Sequence, residues 1–429
     1  MNQITAQMLS MRSPQRRHLS TSASAGLRIL LGKRPVANQP VTVDCFDLRK
    51  GGCGPPAPVC AAGALGSSSA DMLYCRTLLV SVDPFLRCRF NEATGVDYTS
   101  PYDLASPITS AGIGQVLACG SHARLQGFRA GDLVLQPFDA WPWATATSVP
   151  ASSVSRIPPL LGMLVRPSAL LGAAGQPGLT AYVGVDRVAK PNSDETVIVS
   201  GAAGAVGSIV AQLCRRRGAR VVGLCGSEQK ARWLVVAGIV DRAINYKGGD
   251  KMVKALREER AQVYWDNVGG STSDFVIMNA LQEDARIVVC GQIAMYDTDE
   301  EYPPPLKGEV LDHATRLGIT RERYLVLDHR EAFAGALAEI LRMVAADELV
   351  CRETIWSGGV GSAPAAFVEM MGGANAGKAL VASDPDSRFP PSISWRAADL
   401  ARRLMPPALR GWLAAHFATE ARMAAALGL

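Results

Sequence analysis

Val197-Ile198-Val199-Ser200-Gly201-Ala202-Ala203-Gly204-Ala205-Val206-Gly207-Ser208, read on to Val221-Val222-Gly223-Leu224, is the stretch that decides the fold. Its first four residues form an apolar run of the length a fully buried strand uses. Glycines then follow at three-residue spacing. Ile209, Val210, Leu213 and Cys214 recur at helical spacing, with Arg215, Arg216 and Arg217 at the far end, where cations suit the helix dipole. A strand, a glycine turn, a helix and a second strand make a dinucleotide cradle. The first glycine permits the turn, the second lets backbone amides approach a pyrophosphate, and the third lets the helix lie close on the sheet. A glycine-rich helix start with no ligand is the competing reading. The alternation then continues: residues 251–259 predict a helix, 263–267 a strand, 272–281 a helix and 287–290 a buried strand. The class is α/β, with a doubly wound parallel sheet of the Rossmann type.

The end of the second strand bears on which nicotinamide cofactor is held. An NAD site wants an acid about 20 residues past the glycines, on the ribose 2′-hydroxyl. That place is Cys225-Gly226-Ser227, which holds no carboxylate. Lys230 lies one turn beyond Ser227, and Tyr246 follows the next apolar run. A hydroxyl, an ammonium and a phenol together suit a 2′-phosphate, so NADP(H) is expected. In the alternative reading Glu228 is the acid and Lys230 a solvated helix residue.

The 429 residues are enough for two cores. A net charge of +5 and the lack of a basic stripe interleaved with aromatics argue against nucleic acid, and no apolar run is long enough to span a bilayer. Ten cysteines contain no C-x-x-C pair, and several sit in apolar runs as buried free thiols do. Cys119 and His122 form an isolated C-x-x-H, so no metal is expected. Residues 1–25, with Arg12, Arg16, Arg17 and many Ser and Thr but no acid, read as a mitochondrial leader or as an ordinary unstructured terminus. Residues 27–44 suit a first strand pair, and 50–70 a Gly, Pro, Ser and Ala-rich surface loop. Residues 78–83 read as a strand, and 109–134 as short strands between glycine turns, a barrel-like β region. Asp139-Ala140-Trp141-Pro142-Trp143 is an aromatic loop that either lines a pocket or plugs the core. Beyond a linker at 384–391, two short amphipathic helices broken by Pro406-Pro407 could dock on the body, a partner or an anionic membrane surface.

The runs SVDPFLRCRFNEATG (81–95), VSGAAGAVGS (199–208), VVGLCGS (221–227), INYK (244–247), DNVGG (266–270), CGQI (290–293), YPPPL (302–306), ITRERYLVL (319–327) and NAGK (375–378) stand in one register. Together they resemble the zinc-independent medium-chain dehydrogenases/reductases, in their prostaglandin reductase and leukotriene B4 12-hydroxydehydrogenase branch. The resemblance covers about residues 27–383 and neither end. It implies a GroES-like β-barrel domain at 26–170, a Rossmann NADP-binding domain at 171–330, a return to the first domain at 331–384 and an extension at 385–429. It also implies a monomer or homodimer, cytoplasmic unless the leader is real.

Carried across by position, Gly204, Ala205, Val206 and Gly207 would hold the pyrophosphate, and Lys230 and Tyr246 the 2′-phosphate. Asn267, Cys290, Gly291, Gln292, Ile293, Tyr324, Leu325, Val326 and Asn375 would line cofactor and substrate. The implied activity is NADPH-dependent reduction of the carbon–carbon double bond of α,β-unsaturated ketones or aldehydes that derive from lipids, including 15-oxoprostaglandins at carbon 13. Tyr296 is the candidate donor to the enolate and Tyr98 the second; in the competing reading Tyr296 only shields the cofactor. One departure is that Phe138-Asp139-Ala140 precedes Trp141 where the family carries Phe-Tyr, so a substrate-facing tyrosine is lost or displaced. The rival readings are a zinc alcohol dehydrogenase, a quinone reductase and a non-catalytic NADPH-binding or trafficking protein. Residues 81–85 hold neither Cys nor His, which disfavours the zinc enzyme.

Overall fold

The computed structural model describes residues 26–50, 69–92, 95–298, 300, 302–383 and 393–418. The leader at 1–25, most of the loop at 50–70 and the linker lie outside the described residues. Strands β1 (Leu27–Leu31) and β2 (Phe46–Lys50) form an antiparallel pair, so the second strand starts after Asp44 rather than before it. A larger sheet gathers β3 (Met72–Ser81), β4 (Thr109–Cys119), β5 (Leu133–Pro142), β6 (Ala146–Pro150) and β7 (Ser155–Ile157), and later β14 (Glu353–Trp356) and β15 (Lys378–Ala382). Its order is β14-β15-β3-β4-β5-β7, with β6 on β3.

Here the aromatic run resolves as core. Trp141 and Trp143 are both fully buried, and their indole N–H groups donate to Thr77 Oγ1 at 3.0 Å and Ser110 Oγ at 2.9 Å. Trp141 lies flat on β4, where a Cβ at Gly112 or Gly114 would come within 2.4 or 2.2 Å of its ring. A flat indole needs a bare strand beneath it, and the two glycines supply one.

The second sheet is wholly parallel, in the order β10-β9-β8-β11-β12-β13, from β8 (Thr196–Val199), β9 (Arg220–Cys225), β10 (Arg242–Asn245), β11 (Ala261–Asp266), β12 (Leu281–Val289) and β13 (Thr320–Arg323). Val197, Ile198 and Val199 have no exposed surface, which is why the strands read as unbroken apolar runs rather than alternating ones. The strand order reverses between β8 and β11. Ligands of such sheets bind outside the carboxyl ends of the strands at that reversal.

The helices in chain order are α1 (Ser121–Leu125), α2 (Pro159–Leu164), α3 (Gln176–Gly184), α4 (Gly207–Arg216), α5 (Glu228–Val236), α6 (Asp250–Arg257), α7 (Gly270–Ala280), α8 (Gly308–Arg316), α9 (Phe333–Ala345), α10 (Ala363–Met371), α11 (Ile393–Leu404) and α12 (Pro407–Ala418). α12 docks on α9, and α11 on α2. Gly411 allows that approach, since a Cβ there would lie 2.7 Å from Ala346 Cβ, and buried Arg410 pairs with Asp347. The C-terminal helices therefore rest on the body.

Candidate active site

The two sheets meet along a cleft with a cavity of about 310 Å³. Backbone joins its walls: Gly377 N–H donates to Ala203 O at 2.7 Å, which pairs Gly204 with Gly377 of the other lobe. At one end the turn after β8 brings Gly201 to φ +59°, a left-handed value that suits glycine. A Cβ on Gly207 would stand 2.4 Å from Gly201 O, so only glycine lets α4 start so close. Gly204, Ala205, Val206 and Gly207 all line the cleft. No side chain caps α4; the amides of Ser208, Ile209 and Val210 donate to the Gly204 and Val206 carbonyls, so those of Ala205, Val206 and Gly207 are the ones placed to cradle an anion.

Lys230 and Tyr246 reach the same cleft from α5 and from the residue after β10. Lys230 is half-buried, and desolvation lowers its pKa. It donates to Gly373 O at 2.6 Å and has no carboxylate partner among the described residues. Tyr246 packs over Gly226, where a Cβ would lie 2.6 Å from the phenol oxygen. Glu228, the alternative ribose acid, is exposed and accepts from Asn245 Nδ2 at 3.0 Å without lining the cleft.

The floor lies beyond β11. Asn267 lines the cleft and is fixed by Ser200, whose Oγ accepts from its N–H and whose carbonyl accepts from its Nδ2, both at 2.8 Å. Under it Asp266 is 1% exposed and accepts from Tyr264, Ser273, Ser200, Gln292 and the amides of Val268 and Gly269. Its charge sits at the start of α7, held by donors rather than by a cation. Gln292 corrects an expectation: it is 2% exposed and turned onto Asp266 at 2.7 Å, so it braces the floor instead of lining the cleft. Its neighbours Cys290, Gly291 and Ile293 do line it.

Elsewhere the cleft is lined by Tyr98, Tyr296, Phe85, Tyr324, Leu325 and Val326, while Asn375 lies on the turn that meets Lys230 through Gly373 and Ala203 through Gly377. Burial raises the pKa of both Tyr98 and Tyr296, so both remain neutral donors. Burial likewise pushes the Cys290 thiol up to about 12. The Tyr324 hydroxyl is committed to Thr180 O at 2.9 Å and its ring packs on Trp265, so it shapes the wall; Asn375 Nδ2 holds Gly377 O at 2.8 Å.

Sequence reasoning missed two buried ion pairs, Lys378 with Asp83 in the cleft wall and Arg87 with Asp297 beside Tyr296. Their partners stand hundreds of residues apart, and no local pattern marks them. Cys119 is buried and His122 pairs with Asp71, and no group of three or more His, Cys, Asp or Glu among the described residues could hold a metal ion.

Against known proteins, residues 205–339 match the family model described as zinc-binding dehydrogenase. The chain is 32% identical over 311 residues to the 2-alkenal reductase (NADP(+)-dependent) of Nicotiana tabacum, covering 71% of this chain and 85% of that protein. It is 31% identical over 312 residues to prostaglandin reductase 1 of Bos taurus, covering 71% and 87%. Among solved structures, CurA of Vibrio vulnificus in complex with NADPH superposes with a TM-score of 0.68 at 25% identity, over 83% of this chain and 99% of that one. With a two-lobed cleft at the reversal of a parallel sheet and relatives matched along most of their length, the chain belongs to the medium-chain dehydrogenase/reductase family.

Proposed function

We propose that this protein reduces the carbon–carbon double bond of α,β-unsaturated aldehydes and ketones with NADPH, as the names of its tobacco and bovine relatives suggest. The observation that carries the reading is the polarity of the cleft, with an unneutralised cation and a glycine cradle at one end and two neutral phenols at the other. The cradle fits a pyrophosphate because a Cβ at Gly207 would fill it, and Lys230 with Tyr246 fits a 2′-phosphate. When bound, NADPH supplies the hydride that the β-carbon of the substrate receives. Asn267 and the backbone of Cys290, Gly291 and Ile293 would orient the nicotinamide. Tyr296, with Tyr98 opposite, would donate to the substrate carbonyl as negative charge develops on its oxygen. The apolar walls, Phe85, Val326 and Leu327, keep water from that charge.

The substrate we favour is uncharged. Among the described residues, five cations around the phenols hold partners: Lys378 with Asp83, Arg87 with Asp297, Arg323 with Asp97, Arg89 with Asp139, and Arg34 with the carbonyls of Phe90, Asn91 and Tyr102. A substrate carboxylate would displace one of these partners, and an alkenal would not. The test is steady-state NADPH oxidation against 2-alkenals, neutral enones, a quinone and a 15-oxoprostaglandin. The reading predicts turnover of the neutral alkenes with the highest kcat/KM. No oxidation of NADPH by any alkene would overturn it, and a preference for the prostaglandin would overturn the neutral substrate. Among the described residues no helix is long and apolar enough to cross a membrane; the compartment turns on residues 1–25, outside the described residues.

A further inference from the structure

A second cavity, about 440 Å³, lies behind Tyr296. Its walls come from Arg34 to Ala37, from Cys88 to Glu92 at the end of the Pro84–Phe90 turn, from Gly95 and Val96, and from the loop bearing Met295, Thr298 and Tyr302. The titratable groups on it are Arg34, Cys88, Glu92, Glu300, Tyr296 and Tyr302. Among the described residues, Tyr296 alone borders both this cavity and the cleft. The rings of Tyr296 and Tyr302 are 5.8 Å apart at 55°, and both line this cavity. The loop is held in place by the pairing of Asp297 with Arg87, which is itself 1% exposed and also donates to Asn91 Oδ1 at 2.6 Å.

Reduction of an enone consumes a proton as well as a hydride. Once cofactor and substrate fill the cleft, water is excluded from that side. A proton must then arrive from behind. We propose that the second cavity is the proton entrance of the site, and that Tyr302 passes a proton to Tyr296 while Tyr296 protonates the substrate. This rests on the reaction proposed above. The balance is complete: the β-carbon gains the hydride, the π pair moves to the carbonyl oxygen, and that oxygen takes the Tyr296 O–H proton to give an enol that tautomerises to the saturated carbonyl. The Tyr296 oxygen then takes the Tyr302 proton, and Tyr302 takes one from water in the cavity. The net change is enone, NADPH and one proton to saturated carbonyl and NADP. Neutral phenols suit the task because each can donate and accept at once, and burial raises both pKa values. Tyr302 is thus a positioning and relay residue, with Tyr296 the group that touches substrate.

The test uses the full-length protein with a 2-alkenal that the wild type reduces. Tyr302→Phe keeps the ring and removes the relay proton. It should lower kcat by roughly tenfold or more, as loss of a general acid does, with KM for NADPH, NADPH affinity and melting temperature unchanged. Its proton inventory in mixed light and heavy water should change from that of the wild type. Ala37→Trp, on the far wall of the second cavity, should lower kcat and enlarge the solvent isotope effect without touching the cleft. Wild-type kcat and wild-type proton inventory in both variants would overturn the entrance. If the wild type reduces no alkene, the reaction itself fails; if wild type and both variants reduce it equally, only the proton route does.

Discussion

At the glycine end of the cleft the shape is set by backbone packing, with Lys230 and Tyr246 beside it, and at the phenol end it is set by side chains. The cradle exists because Gly207 lies against Gly201 O and Gly226 lies under Tyr246, at distances no Cβ could share. The other end holds Tyr98, Tyr296 and Cys290, each kept neutral by burial and each replaceable without moving the chain. Backbone sites tolerate little change because a clash displaces a helix. Side-chain sites tolerate isosteric change and lose only chemistry. Binding and turnover should therefore fail separately under mutation.

The largest effect should come from the cradle. Gly207→Val forces α4 away from Gly201 O, and NADPH affinity measured by calorimetry should fall at least about a hundredfold, with stability lower by about 2–4 kcal/mol. Tight binding in a folded variant would break the contrast. Next comes Tyr296→Phe, which should reduce kcat by more than about tenfold at unchanged NADPH affinity; equal loss in both would make this tyrosine a wall rather than a donor. Lys230→Ala should weaken NADPH about tenfold in the same calorimetric assay and leave NADH as it was. If both weaken alike, the ammonium does not read a 2′-phosphate.

The smallest effect serves as a control remote from either end. Glu195 is held by Arg286, which donates to it at 2.7 Å, and this hydrogen bond depresses its carboxyl pKa. A depressed carboxylate adds stability that is present above its unfolded pKa and disappears as pH falls through the folded one. Glu195→Gln should therefore cost on the order of 1 kcal/mol near pH 7, with the difference fading in denaturant titrations as pH falls through the depressed folded-state pKa of Glu195. NADPH binding should be unaffected.

The parallel lobe was legible residue by residue. Its strands are buried on both faces and so appear as contiguous apolar runs, and its cradle needs glycines at fixed local spacing. Lys230, in the first turn of α5, and Tyr246, directly after β10, could be placed because each lies within a few residues of a strand end of that lobe. The antiparallel lobe was legible only as a class. Nothing near Trp141 announces that Gly112 and Gly114 on the neighbouring strand receive its ring, so the aromatic run could be core or pocket. Gln292 stands in a motif whose other members line the cleft, yet its amide turns to Asp266 on the adjacent strand.

Sequence by itself determined the βαβ cradle, the order of strand and helix beyond it and the absence of an acid where an NAD site wants one. Those features depend on groups within a few turns of each other, and local backbone geometry fixes them. Tertiary structure alone decided which cations are neutralised, which phenol divides two cavities and how Lys378, on a strand near the end of the chain, pairs with Asp83. Such groups meet through sheet pairing and lobe contact, where strand order and register set the distance, and neither is written in the spacing of residues along the chain.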